Sequence, residues 1–137
     1  MYAKVMERSC KLTSNLSGSG GSIVFIASIS GHRVNYPQPQ VAYNVSKSAV
    51  ITLKNSLAAE FARYGIRVNS ISPGYMDTIL NEGEGIAEAR QIWTERNPMG
   101  RMGTPDELTG AVVLLSSAAG SYMTGSRETN TTSFEHR

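Results

Sequence analysis

Cysteine is almost absent from this sequence: Cys10 is the only one in 137 residues, so no internal disulfide can form and a reducing compartment is expected. Cys10 also lacks a recognisable base partner, which makes it a small packing residue rather than a nucleophile. Charge is sparse as well. Charged residues make up 18% of the chain and the formal net charge is +2, too little to draw nucleic acid as a partner. No uninterrupted apolar run exceeds five residues, against about 20 needed to span a bilayer, so no membrane partner is expected. Met1 to Thr13 mixes charged and apolar residues in helical fashion and does not read as a secretion signal. Cytoplasm is the expected location. What the chain does have is a 40% hydrophobic content, which suits a globular protein, at the length of one domain or part of one.

The strongest chemical signal is Tyr43-Asn44-Val45-Ser46-Lys47, with Ser28 fifteen residues ahead of the tyrosine. On a helix, residues four apart project from one face about 6 Å apart. A phenol with a pKa near 10 is a poor base at neutral pH. An ammonium about 4 Å away, at an effective dielectric of about 20, attracts a phenolate by roughly 4 kcal/mol, or about 3 pKa units. That is the range in which a general acid/base works best. Ser28 ends the apolar run Ile23-Val24-Phe25-Ile26-Ala27, which reads as a buried strand running into a loop. A hydroxyl there is placed to hold a substrate oxygen while Tyr43 moves the proton. Ser30 competes for that role, and either serine alone reads equally as a turn former.

The rest of the chain alternates strand and helix. Residues 1–13 read as the end of a helix, and Ser14 to Gly21 as a Ser/Gly-rich turn. Strand 22–28 follows, then a loop to Gln40 whose two prolines, Pro37 and Pro39, exclude regular structure. A helix is predicted from about Val41 to Tyr64, packing through Val50, Leu53, Leu57 and Phe61, with Gly65 terminating it. Ile66 to Ile71 reads as a second strand and Pro73-Gly74 ends it. Thr78 to Gly85 is polar, contains glycine and reads as a mobile segment. Helix 86–96 carries Trp93, which packs against the domain or covers substrate. After a loop over 97–104, Pro105 opens a helix running to about Ala119, with Asp106 and Glu107 favourable near its start. The last eleven residues, from Arg127, are polar and aperiodic and read as a disordered tail. His136 lies in that tail. His32 reads as a surface or hydrogen-bonded histidine, with a place near the substrate loop as the alternative. The expected fold class is α/β with a parallel sheet.

Ser22-Ile-Val-Phe-Ile-Ala-Ser-Ile-Ser-Gly31, Tyr43-Asn-Val-Ser-Lys47 and Gly65-Ile-Arg-Val-Asn-Ser-Ile-Ser-Pro-Gly74 occur in that order. With Pro73-Gly74-Tyr75-Met76-Asp77-Thr78 and Gly100-Arg-Met-Gly-Thr-Pro-Asp-Glu-Leu108, they resemble the short-chain dehydrogenase/reductase family across about residues 1–126. His32 and Asn35-Tyr-Pro-Gln-Pro-Gln40 look most like the fungal polyol and ketose reductases, such as mannitol dehydrogenase and sorbose or xylulose reductases. The resemblance implies a Rossmann-like doubly wound sheet and a cofactor, NADP or NAD. It also implies a small alcohol or ketone substrate. It assigns Tyr43 as acid/base and Lys47 as the residue that tunes it and binds the nicotinamide ribose. Ser28, rather than Ser30, would hold the substrate carbonyl. Pro73, Gly74, Met76 and Thr78 would contact the nicotinamide. Members are typically homo-oligomeric through the helix bearing the Tyr and Lys.

Three departures from the family shape the expectation. No strand followed by a Gly-rich phosphate turn precedes residue 22, and Gly18-Ser-Gly-Gly21 opens no helix. The helical asparagine of the family's tetrad has no counterpart. After Thr124-Gly125 the polar tail stands where relatives enter a final strand. The resemblance thus implies a partial domain, with residues 1–126 as its C-terminal catalytic part, lacking the N-terminal strands and the last strand. Such a chain is expected to leave both sheet edges unpaired, to bind dinucleotide weakly and to be inactive alone, as a truncated gene product would be. The alternative is a non-catalytic fragment that pairs with full-length subunits through helix 41–64.

Overall fold

In the computed structural model, residues 20–81 and 83–129 are described. Cys10, the predicted helix over 1–13 and His136 lie outside them. Strand β1 (Gly21–Ile26) leads to helix α1 (Val41–Phe61), and strand β2 (Ile66–Ser72) follows. Helix α2 (Ala87–Arg96), helix α3 (Thr109–Ser116) and strand β3 (Arg127–Thr129) complete the order. The three strands are parallel in the order β1-β2-β3. Gly21 to Ile26 pair with Ile66 to Ile71, and Ser70 to Ser72 pair with Arg127 to Thr129.

β2 is central and buried, as its run of apolar and small residues requires. Ile23, Phe25 and Val68 pack on Leu57, Ala58 and Phe61, which places α1 on one face of the sheet. α3 lies on the other, where Ser22 donates to the Leu115 carbonyl at 2.8 Å. The Arg67 guanidinium gathers three carbonyls there, Leu115 at 2.8 Å, Ser117 at 3.1 Å and Met123 at 3.2 Å. It thereby supplies donors that the end of α3 lacks on its own.

Several expectations are corrected. β1 is only partly buried, not a buried strand, because among the described residues it has one neighbour, and Ile26 is 51% exposed. α1 ends at Phe61 and tightens into a 3-10 turn, Ala62–Tyr64, before Gly65 reverses the chain at φ 72°. Its inward face is Lys54, Leu57, Ala58 and Phe61 rather than the stripe through Val50 and Leu53. Leu53 sits about a quarter of a turn from the centre of that face and is 44% exposed. The segment read as mobile carries two 3-10 turns, Ile79–Asn81 and Glu84–Ile86. Thr104 and Glu107 form a capping box over a 3-10 turn, Pro105–Leu108, and α3 stops at Ser116.

Arg127 to Thr129, expected within the tail, form β3. The pairing is carried by main chain: Gly125 donates to Val68 at 2.8 Å, and Ser70 to Ser126 at 3.1 Å. A polar segment delivered alongside a free strand edge pairs as readily as an apolar one. No helix among the described residues is long and apolar enough to cross a membrane.

Candidate active site

The site is assembled where β1 and β2 end. Past Ile26 the chain stays tied to β2, with the Ala27 amide donating to Ile71 at 2.8 Å and the Ile29 amide to Pro73 at 3.0 Å. Ser28 caps the 3-10 turn Ile29–Gly31, its Oγ accepting from the Ser30 amide at 3.2 Å. The turn rests on α1, where the Ser48 hydroxyl donates to the Gly31 carbonyl at 2.8 Å. Lys47 reaches across to donate to the Ile26 carbonyl at 3.1 Å, and its ammonium lies 5.5 Å from the centroid of the Tyr43 ring. One face of α1 thus carries phenol and ammonium together, as the spacing predicts.

Ser28, Tyr43 and Lys47 line one cavity of about 520 Å³, together with Pro73, Gly74, Met76 and Thr78. Every residue that the sequence singled out as a site residue is therefore brought to one place. Main-chain bonds hold the Pro73–Thr78 segment in position. The Gly103 amide donates to Tyr75 at 3.1 Å, and the Asp77 amide to Gly103 at 2.7 Å. Asn81 Nδ2 donates to the Met76 carbonyl at 2.7 Å, and Arg90 pairs with Asp77 at 2.8 Å while also donating to the Asn81 carbonyl.

Of the opposite wall, the sequence offered only Trp93, with covering substrate as one of its two readings. Asn35, Gln38 and Gln40 from the loop after the Ser28 turn line the cavity with Tyr75 and Trp93. Tyr75 and Trp93 stack with centroids 4.4 Å apart and planes 7° from parallel. Asn35 Nδ2 donates to the Tyr75 hydroxyl at 3.1 Å, while its buried Oδ1 has no partner among the described residues. Burial pushes the Tyr75 phenol upward from its ordinary pKa, against smaller opposing effects of the Asn35 bond and Arg96. Tyr75 therefore stays a neutral phenol at neutral pH. The proline-bracketed polar run was the only available signal, and periodicity says nothing about loop contacts.

His32 does not line the cavity. Arg127 donates to its Nδ1 at 3.2 Å, so the ring proton sits on Nε2, 2.9 Å from the Ser72 hydroxyl that accepts it. Burial, then the charges of Arg127, Arg33 and Lys54, hold its pKa below the ordinary 6.5. Of the two readings of His32, the hydrogen-bonded one describes it. Among the described residues no cluster of His, Cys, Asp or Glu is suited to a metal.

The cavity fits the nicotinamide end of a dinucleotide. Lys47 has three donors and uses one on Ile26, which leaves donors for ribose hydroxyls. None of its lining residues belongs to a glycine-rich turn at the start of a helix, the usual cradle for a pyrophosphate.

Comparison with known proteins agrees with this layout. A family model described as enoyl-(acyl carrier protein) reductase matches residues 4–129. Galactitol 2-dehydrogenase of Rhizobium johnstonii is 50% identical over 113 residues, 82% of this chain and 44% of that protein. The NADP-dependent mannitol dehydrogenase of Hypocrea jecorina is 50% identical over 105 residues, 77% of this chain and 39% of that protein. A crystal structure of a short-chain type dehydrogenase/reductase from Mycobacterium marinum superposes with a TM-score of 0.81 at 44% identity, covering 90% of this chain and 48% of that one. The chain spans less than half the length of the curated relatives it matches.

Proposed function

The chain belongs to the short-chain dehydrogenase/reductase family, and we propose that residues 1–126 are the catalytic part of an NADP- or NAD-dependent oxidoreductase that interconverts a secondary alcohol and a ketone. The observation that carries this reading is the meeting of Ser28, Tyr43 and Lys47 with Pro73, Gly74, Met76 and Thr78 around one cavity. In reduction, Tyr43 gives its phenolic proton to the substrate oxygen, and in oxidation it takes that proton back. The Ser28 hydroxyl donates to the same oxygen and fixes its position. Lys47, anchored on the Ile26 carbonyl, stabilises the phenolate left behind and donates to the ribose. Pro73, Gly74, Met76 and Thr78 hold the nicotinamide, with Pro-Gly allowing close backbone approach. The bound dinucleotide supplies or accepts the hydride.

A polyol and its ketose are the substrate pair that the opposite wall suits best. Asn35 and Gln38 bring amides to the cavity, and amides both donate and accept, as a chain of hydroxyls requires. The relatives named for galactitol and mannitol support the same class.

The test is the rate of NADPH- or NADH-dependent ketose reduction by the 137-residue chain, alone or joined to the N-terminal half of a relative. Tyr43→Phe should lower kcat by about 10²–10⁴-fold. Turnover within about twofold of the unaltered chain would end the assignment.

A further inference from the structure

Five side chains form a directed chain of hydrogen bonds behind the reacting group. Trp93 Nε1 donates to Gln38 Oε1 at 3.3 Å, and to the Tyr36 carbonyl at 3.2 Å. Gln38 Nε2 donates to Gln40 Oε1 at 3.3 Å, and Gln40 Nε2 to Ser30 Oγ at 3.2 Å. Ser30 Oγ lies 3.1 Å from Ser28 Oγ, which in this structure donates to it. Trp93, Ser30 and Ser28 are 5%, 5% and 7% exposed, so water competes little at either end.

The indole decides the polarity. An indole N–H can only donate, and here the Gln38 oxygen faces it while the Gln38 NH₂ turns to Gln40. Gln40 is then forced to turn its oxygen to Gln38 and its NH₂ to Ser30. Ser30 Oγ is thereby committed to accept from Gln40, and its own hydrogen remains free to serve Ser28. When a carbonyl oxygen occupies the cavity, Ser28 turns its hydrogen to that oxygen and Ser30 donates to Ser28 in its place.

We propose that Trp93, Gln38, Gln40 and Ser30 form a polarity relay that sets the Ser28 hydroxyl as a donor to a ketose carbonyl, with Gln40 as the principal positioning residue. The relay rests on the proposed role of Ser28. With Gln40→Glu the carboxylate accepts the Ser30 hydrogen, which withdraws it from Ser28 and reverses the last link. With Trp93→Phe the ring stays on Tyr75, but the donor that orders the two amides is lost.

Trp93 is the only tryptophan in the chain and lines the cavity, so its fluorescence reports occupancy without requiring turnover. The experiment titrates the 137-residue chain with sorbose, a ketose, at neutral pH. Ser28→Ala and Gln40→Glu should each weaken sorbose binding by about tenfold, the size of one lost hydrogen bond. The double variant should be no weaker than Ser28→Ala, because Gln40 acts through Ser28. The Gln40→Glu loss should shrink as the pH falls through the carboxyl's titration, since a protonated carboxyl again donates to Ser30. A simple packing defect would show no such recovery.

If Ser28→Ala leaves sorbose binding unchanged, the role of Ser28 itself fails. If Ser28→Ala weakens binding while Gln40→Glu does not, or if the two losses multiply, the relay is overturned and Ser28 keeps its role. Trp93→Phe is read by sorbose reduction, where KM should rise, as sorbose binding weakens in the other two variants. An unchanged KM would remove the indole from the relay.

Discussion

Gly31 and Lys47 meet backbone to backbone: a methyl group placed on Gly31 would lie 2.8 Å from the Lys47 carbonyl carbon and 2.9 Å from its oxygen. This contact seats the Ser28 turn on the helix that carries the phenol and the ammonium. Gly31→Ala is expected to destabilise the fold by about 1–3 kcal/mol, the usual range for overpacking. The main chain of α1 cannot yield as a flexible side chain would, so the turn must lift. A denaturant melt measures the loss, and an unshifted midpoint would show that turn and helix are not pressed together.

Lys54 is 1% exposed; its ammonium donates to the Gly125 carbonyl at 2.6 Å and to Asn55 Oδ1 at 2.7 Å. The bond to Gly125 ties α1 to the turn that delivers β3. Burial, and then the charge of Arg127, lower its pKa from the ordinary 10.5. Between the lowered folded value and 10.5, the unfolded chain binds more protons than the native one, so stability rises with pH across that window. Lys54→Met should lack this alkaline rise. At neutral pH it should be less stable by about 1–3 kcal/mol, because the Gly125 carbonyl loses its donor. Parallel melts of the two proteins from neutral pH upward check both signs.

Glu107 carries the opposite dependence. Arg101, and then the Thr104 amide, hold its carboxyl down to about 2 from an ordinary 4.5. Its contribution is complete above 4.5 and is lost as the pH falls toward 2. Glu107→Gln should flatten the fall in stability across that acid window slightly and lower the neutral-pH melt by an equally small amount, since the pair with Arg101 is exposed. An equally steep acid limb in the variant would assign the loss to other carboxylates.

Much of the fold and half of the site could be read locally. The run from Ile23 to Ala27 predicts β1, the Tyr43 to Lys47 spacing puts two groups on one helix face, and Gly65 marks the reversal before β2. Each follows from rules that span only a few residues. The same rules misjudged Leu53 and passed over Lys54. They rank residues by polarity, whereas the sheet buries whichever side chain the helix phase presents and satisfies a cation with nearby carbonyls. They likewise left Asn35, Gln38, Gln40 and Tyr75 outside the site, and left open whether Trp93 covers substrate.

The sequence by itself determined the chemistry on offer, a serine, a tyrosine and a lysine at the ends of a strand and along one helix face. That information is short-range and survives without any partner segment. Only the tertiary structure decided which side chains the Ser28 turn meets and where the polar residues after Gly125 go. Both depend on contacts between distant segments. Trp93 meets Gln38 across a separation of 55 residues, and Ser126 meets Asn69 across 57. Hydrogen-bond direction and strand pairing at such distances are set by which backbones are brought together, and no local periodicity encodes that.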